Sequence, residues 1–192
     1  MRVLLTTSYI TMRTTIAAIA TFHTILFAFA IPQPSSTSVA SGIITAPSSY
    51  YLKTRVDGHS HNDKDNPYVS KYHAGAGTAD LTLQSIDFAS PAFFNSGYQE
   101  FNLDPPGPFG IIMSDYDNGG TGWNFVTTAP GYGDDGFFFD ATGLQYEFQE
   151  IGFAGWLAYR WHGAPQLFWQ YAYLPETLPS TCAKVELLPV AI

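Results

Sequence analysis

The sequence predicts an all-β protein, an antiparallel β-sandwich or barrel with little helix. The chain has 17 Gly and 13 Pro in 192 residues, and turn signals separate short apolar runs about every ten residues, a spacing typical of sandwiches and barrels. Aromatic residues make up 16% of the chain, and they favour strands. Beyond residue 30, no long stretch keeps a helical apolar period without Gly or Pro, so we expect few helices.

The predicted strands follow from alternation and from these turn signals. They cover 50–56, 68–73, 81–88, 99–103, 110–116, 123–128, 136–140, 144–150, 155–162, 166–173 and 182–188. Residues 144–149 alternate cleanly between apolar and polar, as a half-buried antiparallel strand does. In 81–88 the apolar face shifts by one residue between Leu83 and Ile86, which predicts a β-bulge. Residues 140–143 are predicted to form a four-residue hairpin connection.

Residues 1–30 predict a secretory signal peptide. Arg2 and Arg13 accompany an apolar run that ends in the small-x-small sequence Ala28-Phe29-Ala30, and these are the parts of such a leader. Translation could also start at Met12, which would give a shorter signal peptide and the same secreted domain. No later run is apolar enough to span a membrane, so we expect a secreted, extracellular protein without a membrane anchor.

The remaining chain divides into two parts of different composition. Residues 31–49 are rich in Ser, Thr, Pro and Ala and carry no charge, which predicts a disordered lead-in. Residues 50–192 are aromatic-rich and predict a single β domain, which we expect to be a monomer. The domain is long enough to bury a core of its own.

The charge of the chain argues against nucleic acids and membranes as partners. The net charge is −8, and removing residues 1–30 takes away two of the eight basic residues and none of the 16 acidic ones, which leaves −10. Such a chain is repelled by phosphates and anionic lipids. The single cysteine, Cys182, is predicted to be a buried free thiol, with pairing between chains as the alternative.

Two polar loops are weak candidates for metal sites. His59 and His61 could hold zinc or copper, with Asp63 or His73 completing the site, but the segment also fits a polar turn. Asp115 and Asp117 occupy alternate positions before two glycines, as in a calcium-binding loop. The glutamate that ends an EF-hand loop is missing, and a turn that uses Asn-Gly explains the same residues more simply. We therefore predict no bound metal and no cofactor.

Aromatic and basic residues are the candidate binding residues. The alternation in 156–161 sets Trp156 and Ala158 on one face and Tyr159 and Trp161 on the other, so one aromatic face is exposed or lies in a second interface. The candidates are Trp123, Trp161, His162 and Arg160, since exposed aromatics beside such groups form binding hot spots.

Several segments of the chain resemble a family of uncharacterised small secreted proteins from filamentous fungi. The segments are YLKT at 51–54, GHSHNDKDN at 58–66, YHAGAG at 72–77, GFFF at 136–139, GLQ at 143–145, GWL at 155–157, WHGAPQLFW at 161–169 and CAKV at 182–185. The resemblance implies secretion by a fungus and a role as a virulence effector or elicitor at a host surface. It implies no activity and no functional residue.

Three functions are consistent with these observations. The first is a non-enzymatic secreted effector or elicitor that binds a host extracellular protein. The second is a carbohydrate-binding module for cell-wall glycans, in which aromatic rings stack on sugars. The third is a hydrolase that uses paired carboxylates, for which the candidates are Asp134, Asp135, Asp140, Glu147 and Glu150. We expect the first.

Overall fold

The structure is a computed structural model that describes residues 42–56, 64–75, 77–103, 107–114, 121–147, 152–173 and 178–192. These residues form twelve strands and one short 3-10 helix. The strands are β1 Tyr50–Val56, β2 Tyr68–Gly75, β3 Thr78–Gln84, β4 Ala92–Asn95, β5 Tyr98–Phe101, β6 Phe109–Met113, β7 Trp123–Pro130, β8 Phe137–Asp140, β9 Gly143–Tyr146, β10 Phe153–Trp161, β11 Ala164–Tyr171 and β12 Cys182–Ala191. Within the same ranges no helix is long and apolar enough to cross a membrane.

Ten of these strands form one antiparallel sheet that closes on itself. The order is β10-β12-β1-β2-β3-β11-β7-β6-β5-β4, and further pairings join β10 to β11, β1 to β4 and β3 to β7. The result is a closed barrel of nine strands, which can be traced from β1 through β4, β5, β6, β7, β3, β11, β10 and β12 back to β1. Strand β2 bridges β1 and β3. The predicted all-β fold is therefore confirmed, in its barrel form.

Two local predictions are wrong. The strand predicted over 81–88 ends at Gln84, and the chain turns through a 3-10 helix at Ile86–Phe88. The shift of the apolar face therefore marks the point where the chain leaves the sheet, and Ile86 and Phe88 are exposed. Strand β4 was not predicted because its sequence Ala92-Phe93-Phe94-Asn95 does not alternate between apolar and polar residues. The 140–143 connection is shorter than expected because Asp140 pairs with Gly143.

The barrel interior is filled by the inward residues of each strand. Tyr50, Leu52, Leu81, Trp156 and Trp169 are among the fully buried side chains of this core. Inward and outward positions alternate along the strands, so the same strands also present an outer face. The outer face carries the candidate functional residues.

The hairpin of β8 and β9 packs against the barrel as a separate two-stranded sheet. Its residues Phe137, Phe139 and Leu144 belong to the barrel core. Gly143 is required at its contact with β12, because a Cβ at this position would lie 2.3 Å from the Leu187 carbonyl oxygen. The hairpin therefore approaches the barrel backbone as closely as a glycine permits.

The chain before β1 is bonded to the same structure. The Ile44 backbone N–H donates to the Phe139 carbonyl oxygen at 2.9 Å, and the Ile192 N–H donates to the Ser49 carbonyl oxygen at 3.3 Å. Ala46 packs against the core. The predicted signal peptide and residues 31–41 of the predicted lead-in lie outside the described residues.

Candidate binding surface

The longest hairpin of the barrel, β10–β11, positions most of the candidate residues. Its two strands are joined by His162 and Gly163, whose φ angles of 48° and 87° fit the type I′ turn that matches the twist of a hairpin. The register places Trp156 opposite Trp169, Leu157 opposite Phe168 and Tyr159 opposite Gln166. Because opposite residues share a face, this register fixes which side chains meet.

Both faces of this hairpin carry aromatic side chains. Trp156 and Trp169 point inward and are fully buried, and their Nε1 groups donate to the carbonyl oxygens of Leu144 at 2.6 Å and Ser114 at 3.1 Å. Tyr159 and Trp161 lie on the other face and are half-buried. The structure thus separates Trp156 from Trp161 as the alternation of the sequence predicts.

The outward rings form one cluster, which we call the aromatic patch: Trp123, Phe125, Tyr159, Trp161 and Phe168. Phe168 is the centre, with ring centroids 5.1 Å from Trp123, 5.1 Å from Phe125 and 5.9 Å from Tyr159. Two contacts reach across β11, between Trp123 and Tyr159 at 5.5 Å and between Phe125 and Trp161 at 5.9 Å. Phe168 is therefore 0% exposed although it lies on the outer face.

Two glutamine amides flank Phe168 on the same face. Gln166 and Gln170 are 6% and 5% exposed, since the neighbouring rings cover them. Gln170 lies opposite Trp123 on β7 and Gly155 on β10, and its Oε1 atom is buried without a hydrogen-bond partner. The patch therefore has an apolar centre with polar groups buried at its sides.

Basic residues occur on β10, in the hairpin turn and on β12. Arg160 has the parity of Trp156, so it lies on the opposite face of β10 from Tyr159 and Trp161. Arg160 is exposed, and its Nη1 donates to the Gly163 carbonyl oxygen at 3.0 Å. The His162 ring contacts Trp161 at 5.1 Å. Lys184 of β12 lies opposite Leu157 and is exposed. The predicted candidates Trp161, His162 and Arg160 are thus adjacent, and Trp123 joins Trp161 through Tyr159.

A polar cleft of about 220 Å³ lies beside the patch. Its lining includes Thr142 and Gln145 of the β8–β9 hairpin, Gly155 of β10, and Lys184 and Glu186 of β12. Glu186 also forms an ion pair with Arg55. The cleft therefore offers hydrogen-bond donors and acceptors next to an aromatic surface.

Four of the carboxylates considered for hydrolysis can be placed. Asp134 accepts the Met113 backbone N–H at 2.7 Å, and Asp140 accepts the backbone N–H and the hydroxyl of Thr142 at 2.8 Å and 2.7 Å. Asp135 and Glu147 are exposed. These bonds give Asp134 and Asp140 structural roles, while Glu150 lies outside the described residues.

The candidate metal ligands His59, His61, Asp63, Asp115 and Asp117 also lie outside the described residues. The side chain of His73 is likewise not described. Within the described ranges, no group of three or more His, Cys, Asp or Glu side chains is placed to hold a metal ion.

Cys182 begins β12 opposite Tyr159. It is a free thiol and is partly buried. Burial raises the pKa of this thiol to about 11, and the positive charge of Lys64 lowers it by a smaller amount. Since the thiolate is the reactive form, Cys182 is a poor nucleophile at neutral pH.

Sequence reasoning missed two members of the patch, Phe125 and Phe168. Phe125 shares a face with Trp123 two residues earlier, so alternation could have found it. Phe168 sits in the apolar run of 167–169, where the sequence does not separate the inward from the outward ring.

The fold and this surface define an antiparallel β-barrel protein with a half-buried aromatic patch on its outer face. Residues 47–191 match the family model of a domain of unknown function, DUF7907. This match covers most of the chain, and the protein belongs to that family. No curated protein and no solved structure matches the chain.

Proposed function

We propose that this protein is a secreted, non-enzymatic effector- or elicitor-like protein that binds a host extracellular protein through the aromatic patch. The patch itself is the observation that carries the proposal. Half-buried rings surround Phe168 and Leu157, which are 0% exposed. Aromatic side chains around a centre that excludes water are characteristic of the hot spots of protein–protein interfaces.

The relative orientation of the rings favours a protein partner over a polysaccharide. The planes of Trp123 and Tyr159 differ by 64°, those of Phe125 and Trp161 by 70°, and those of Tyr159 and Trp161 by 42°. Successive sugars of one chain stack best on rings that share a plane. The patch presents edges and faces in several directions, which suits the uneven apolar surface of a protein.

A positive charge beside the patch favours a partner with acidic groups. Lys184 is exposed on β12, opposite Leu157, in a chain whose net charge is −8. Complementary charges at the rim of an interface mainly raise the association rate and set the orientation. We therefore expect binding to weaken as the salt concentration rises.

A cell-wall glycan is the second candidate because of the polar cleft. Thr142, Gln145, Lys184 and Glu186 could bond sugar hydroxyls there, next to the patch. This alternative requires the cleft residues for binding, whereas a protein partner requires the rings.

A capture experiment distinguishes the two candidates. The chain from residue 31 onward is immobilised and exposed to plant extracellular fluid, and binding to insoluble chitin, cellulose and glucan is measured in parallel. Three variants accompany the wild type: Trp161→Ala in the patch, Gln145→Ala in the cleft, and Phe88→Ala as the matched control. Phe88 is an aromatic that is 65% exposed on the 3-10 helix.

We expect one protein to be captured by the wild type, Gln145→Ala and Phe88→Ala, and lost with Trp161→Ala. Retention of the wild type on one polysaccharide, with loss for Gln145→Ala, would replace the proposal with glycan binding. Equal capture by wild type and Trp161→Ala would exclude the patch as the interface.

A further inference from the structure

The outer face of β5 buries a carboxyl group far from the aromatic patch. Gln99 and Phe101 of this strand point into the barrel, so Glu100 between them points outward. Glu100 lies opposite Phe93 of β4 and Gly110 of β6. Although it is on the outer face, the residue is only 1% exposed.

The segment 131–134 crosses the outer face of β6 beside Glu100. A Cβ on Gly110 would lie 1.8 Å from the Tyr132 carbonyl oxygen, and a Cβ on Gly133 would lie 2.3 Å from the Ile111 carbonyl oxygen. The segment is further fixed by the Asp134 backbone N–H, which donates to the Ile111 carbonyl oxygen at 2.8 Å. The Tyr132 ring contacts Tyr98 at 5.5 Å.

This crossing places a backbone carbonyl on the same face as the Glu100 side chain. The Tyr132 oxygen occupies the place of a side chain on Gly110, and side chains at opposite positions start about 4.5–5.5 Å apart, a distance that a glutamate side chain can span. The Oε1 atom of Glu100 is buried and has no hydrogen-bond partner. If the carboxyl turns to the Tyr132 oxygen, two acceptor oxygens meet, and they require a proton, a water or a cation between them.

The strands that pair with β5 and the segment that covers it supply no cation to neutralise Glu100. They lie within residues 74–159, where Lys, Arg and His are absent. The groups facing Glu100 are Phe93 and Asn95 from β4, Gly110 from β6 and Ala129 from β7, and none of them titrates. The covering segment adds the phenol of Tyr132 and the carboxylate of Asp134, and β5 adds the phenol of Tyr98. An ionised Glu100 would therefore meet only groups that are neutral or negative.

We propose that Glu100 is a protonated acid that donates a hydrogen bond to the Tyr132 carbonyl oxygen, and that loss of this proton releases the segment 131–134 from the barrel. The pair forms a pH-sensitive clasp on the outer face of β5. Burial raises the pKa of Glu100, and a side-chain hydrogen bond from Asn95 lowers it by a smaller amount. This direction agrees with a neutral carboxyl.

The sign of the pH dependence follows from linkage. A carboxyl whose pKa is higher in the closed state than in the open state binds more protons when closed. The clasp is therefore fully stable below the ordinary pKa of glutamate, and it weakens as the pH rises through the raised value. This loss of stability with rising pH is opposite to the behaviour of an acid in a salt bridge, which loses its stabilising effect as the pH falls.

The test follows hydrogen exchange of the backbone amides of 132–134 in the full chain from pH 4 to pH 8, after correction for the intrinsic pH dependence of exchange. In wild type, protection should fall by about tenfold per pH unit between the ordinary and the raised pKa. Glu100→Gln keeps a donor of similar shape, so its protection should stay level. Glu147→Gln, which changes an exposed acid, should behave as wild type does.

Parallel curves for wild type and Glu100→Gln would overturn the proposal. So would an increase in wild-type protection at pH 8 on addition of CaCl₂, because a cation would then join the two oxygens. If Glu100→Gln fails to fold, a carbon-13 NMR titration of the Glu100 carboxyl in wild type decides the question. A midpoint above that of Glu147 supports the clasp, and an equal or lower midpoint contradicts it.

Discussion

The four tryptophans divide into an inner and an outer pair, and the comparison shows how one strand can serve both core and surface. Trp156 and Trp169 point into the barrel, and their indole N–H groups donate to backbone carbonyls. Trp123 and Trp161 lie on the outer face and contact other rings. The inner pair is fixed by cavity filling and hydrogen bonds, whereas the outer pair is held by ring contacts and retains exposed surface.

Strand parity assigns the role of each ring. Trp156 and Trp161 belong to the same strand and differ by five positions, an odd number, so they face opposite sides. Removing an inner ring should therefore affect stability, and removing an outer ring should affect binding. The following predictions test this division, beginning with the largest expected effect.

Trp156→Ala should lower the free energy of unfolding by about 4 kcal/mol. The substitution leaves a cavity in the core and also deprives the buried Leu144 carbonyl oxygen of its donor. Urea denaturation of this variant, with Trp161→Ala as the matched control, measures the difference. Similar losses for the two variants would show that the inner and outer rings are not energetically distinct.

Phe168→Ala should lower the free energy of unfolding by about 3 kcal/mol, although Phe168 faces outward. Its ring is fully buried beneath the patch, so the cost should approach that of a core position. The same denaturation experiment gives the value. A loss well under 1 kcal/mol would mean that the surrounding rings do not form a cohesive cluster.

Trp161→Ala should lower the free energy of unfolding by about 1 kcal/mol, because the ring is only half-buried.

Trp161→Phe should reduce the share of tryptophan fluorescence that acrylamide quenches, since quenching requires exposure. Trp169→Phe serves as the control and should raise the quenchable share, because it removes a fully buried ring. A share that also rises in Trp161→Phe would place the Trp161 ring in a protected environment.

Arg55→Ala should change the free energy of unfolding by about 0.5 kcal/mol or less. Arg55 forms an ion pair with Glu186 on the outer face, and its side chain is 55% exposed. Thermal melts at low and high salt would measure this effect. A larger loss would show that polar contacts on the outer face rival the ring contacts in strength.

Most of the strands could be predicted because the sequence alternates and the turns are marked. The bounds of β1 coincide with the predicted 50–56, where Tyr50, Leu52 and Val56 recur at even spacing. The prediction failed at Ile86 and Phe88, where local apolarity suggested a continuing strand. The chain instead turns there, and the Ser70 hydroxyl donates to the Phe88 carbonyl oxygen at 2.6 Å. That hydrogen bond joins residues 18 positions apart, so the sequence around Phe88 does not indicate it.

The candidate site was predicted in part for a similar reason. Trp123 and Trp161 could be named from their residue type and from alternation. Their union in one patch depends on β11, which pairs with β10 on one edge and β7 on the other. That pairing brings Phe125 to Phe168 across 42 intervening residues, and alternation within one strand carries no information on such neighbours.

The all-β class follows from the amino-acid pattern alone, as do most strands and turns and the opposite facing of Trp156 and Trp161, because each reflects a two-residue period within a single strand. Closure of the sheet into a barrel, assembly of five rings into one patch and burial of Glu100 beside the segment 131–134 are visible only in the folded molecule. Each of these depends on the register between distant strands, which is set by the pairing of whole strands and by burial of the core they enclose.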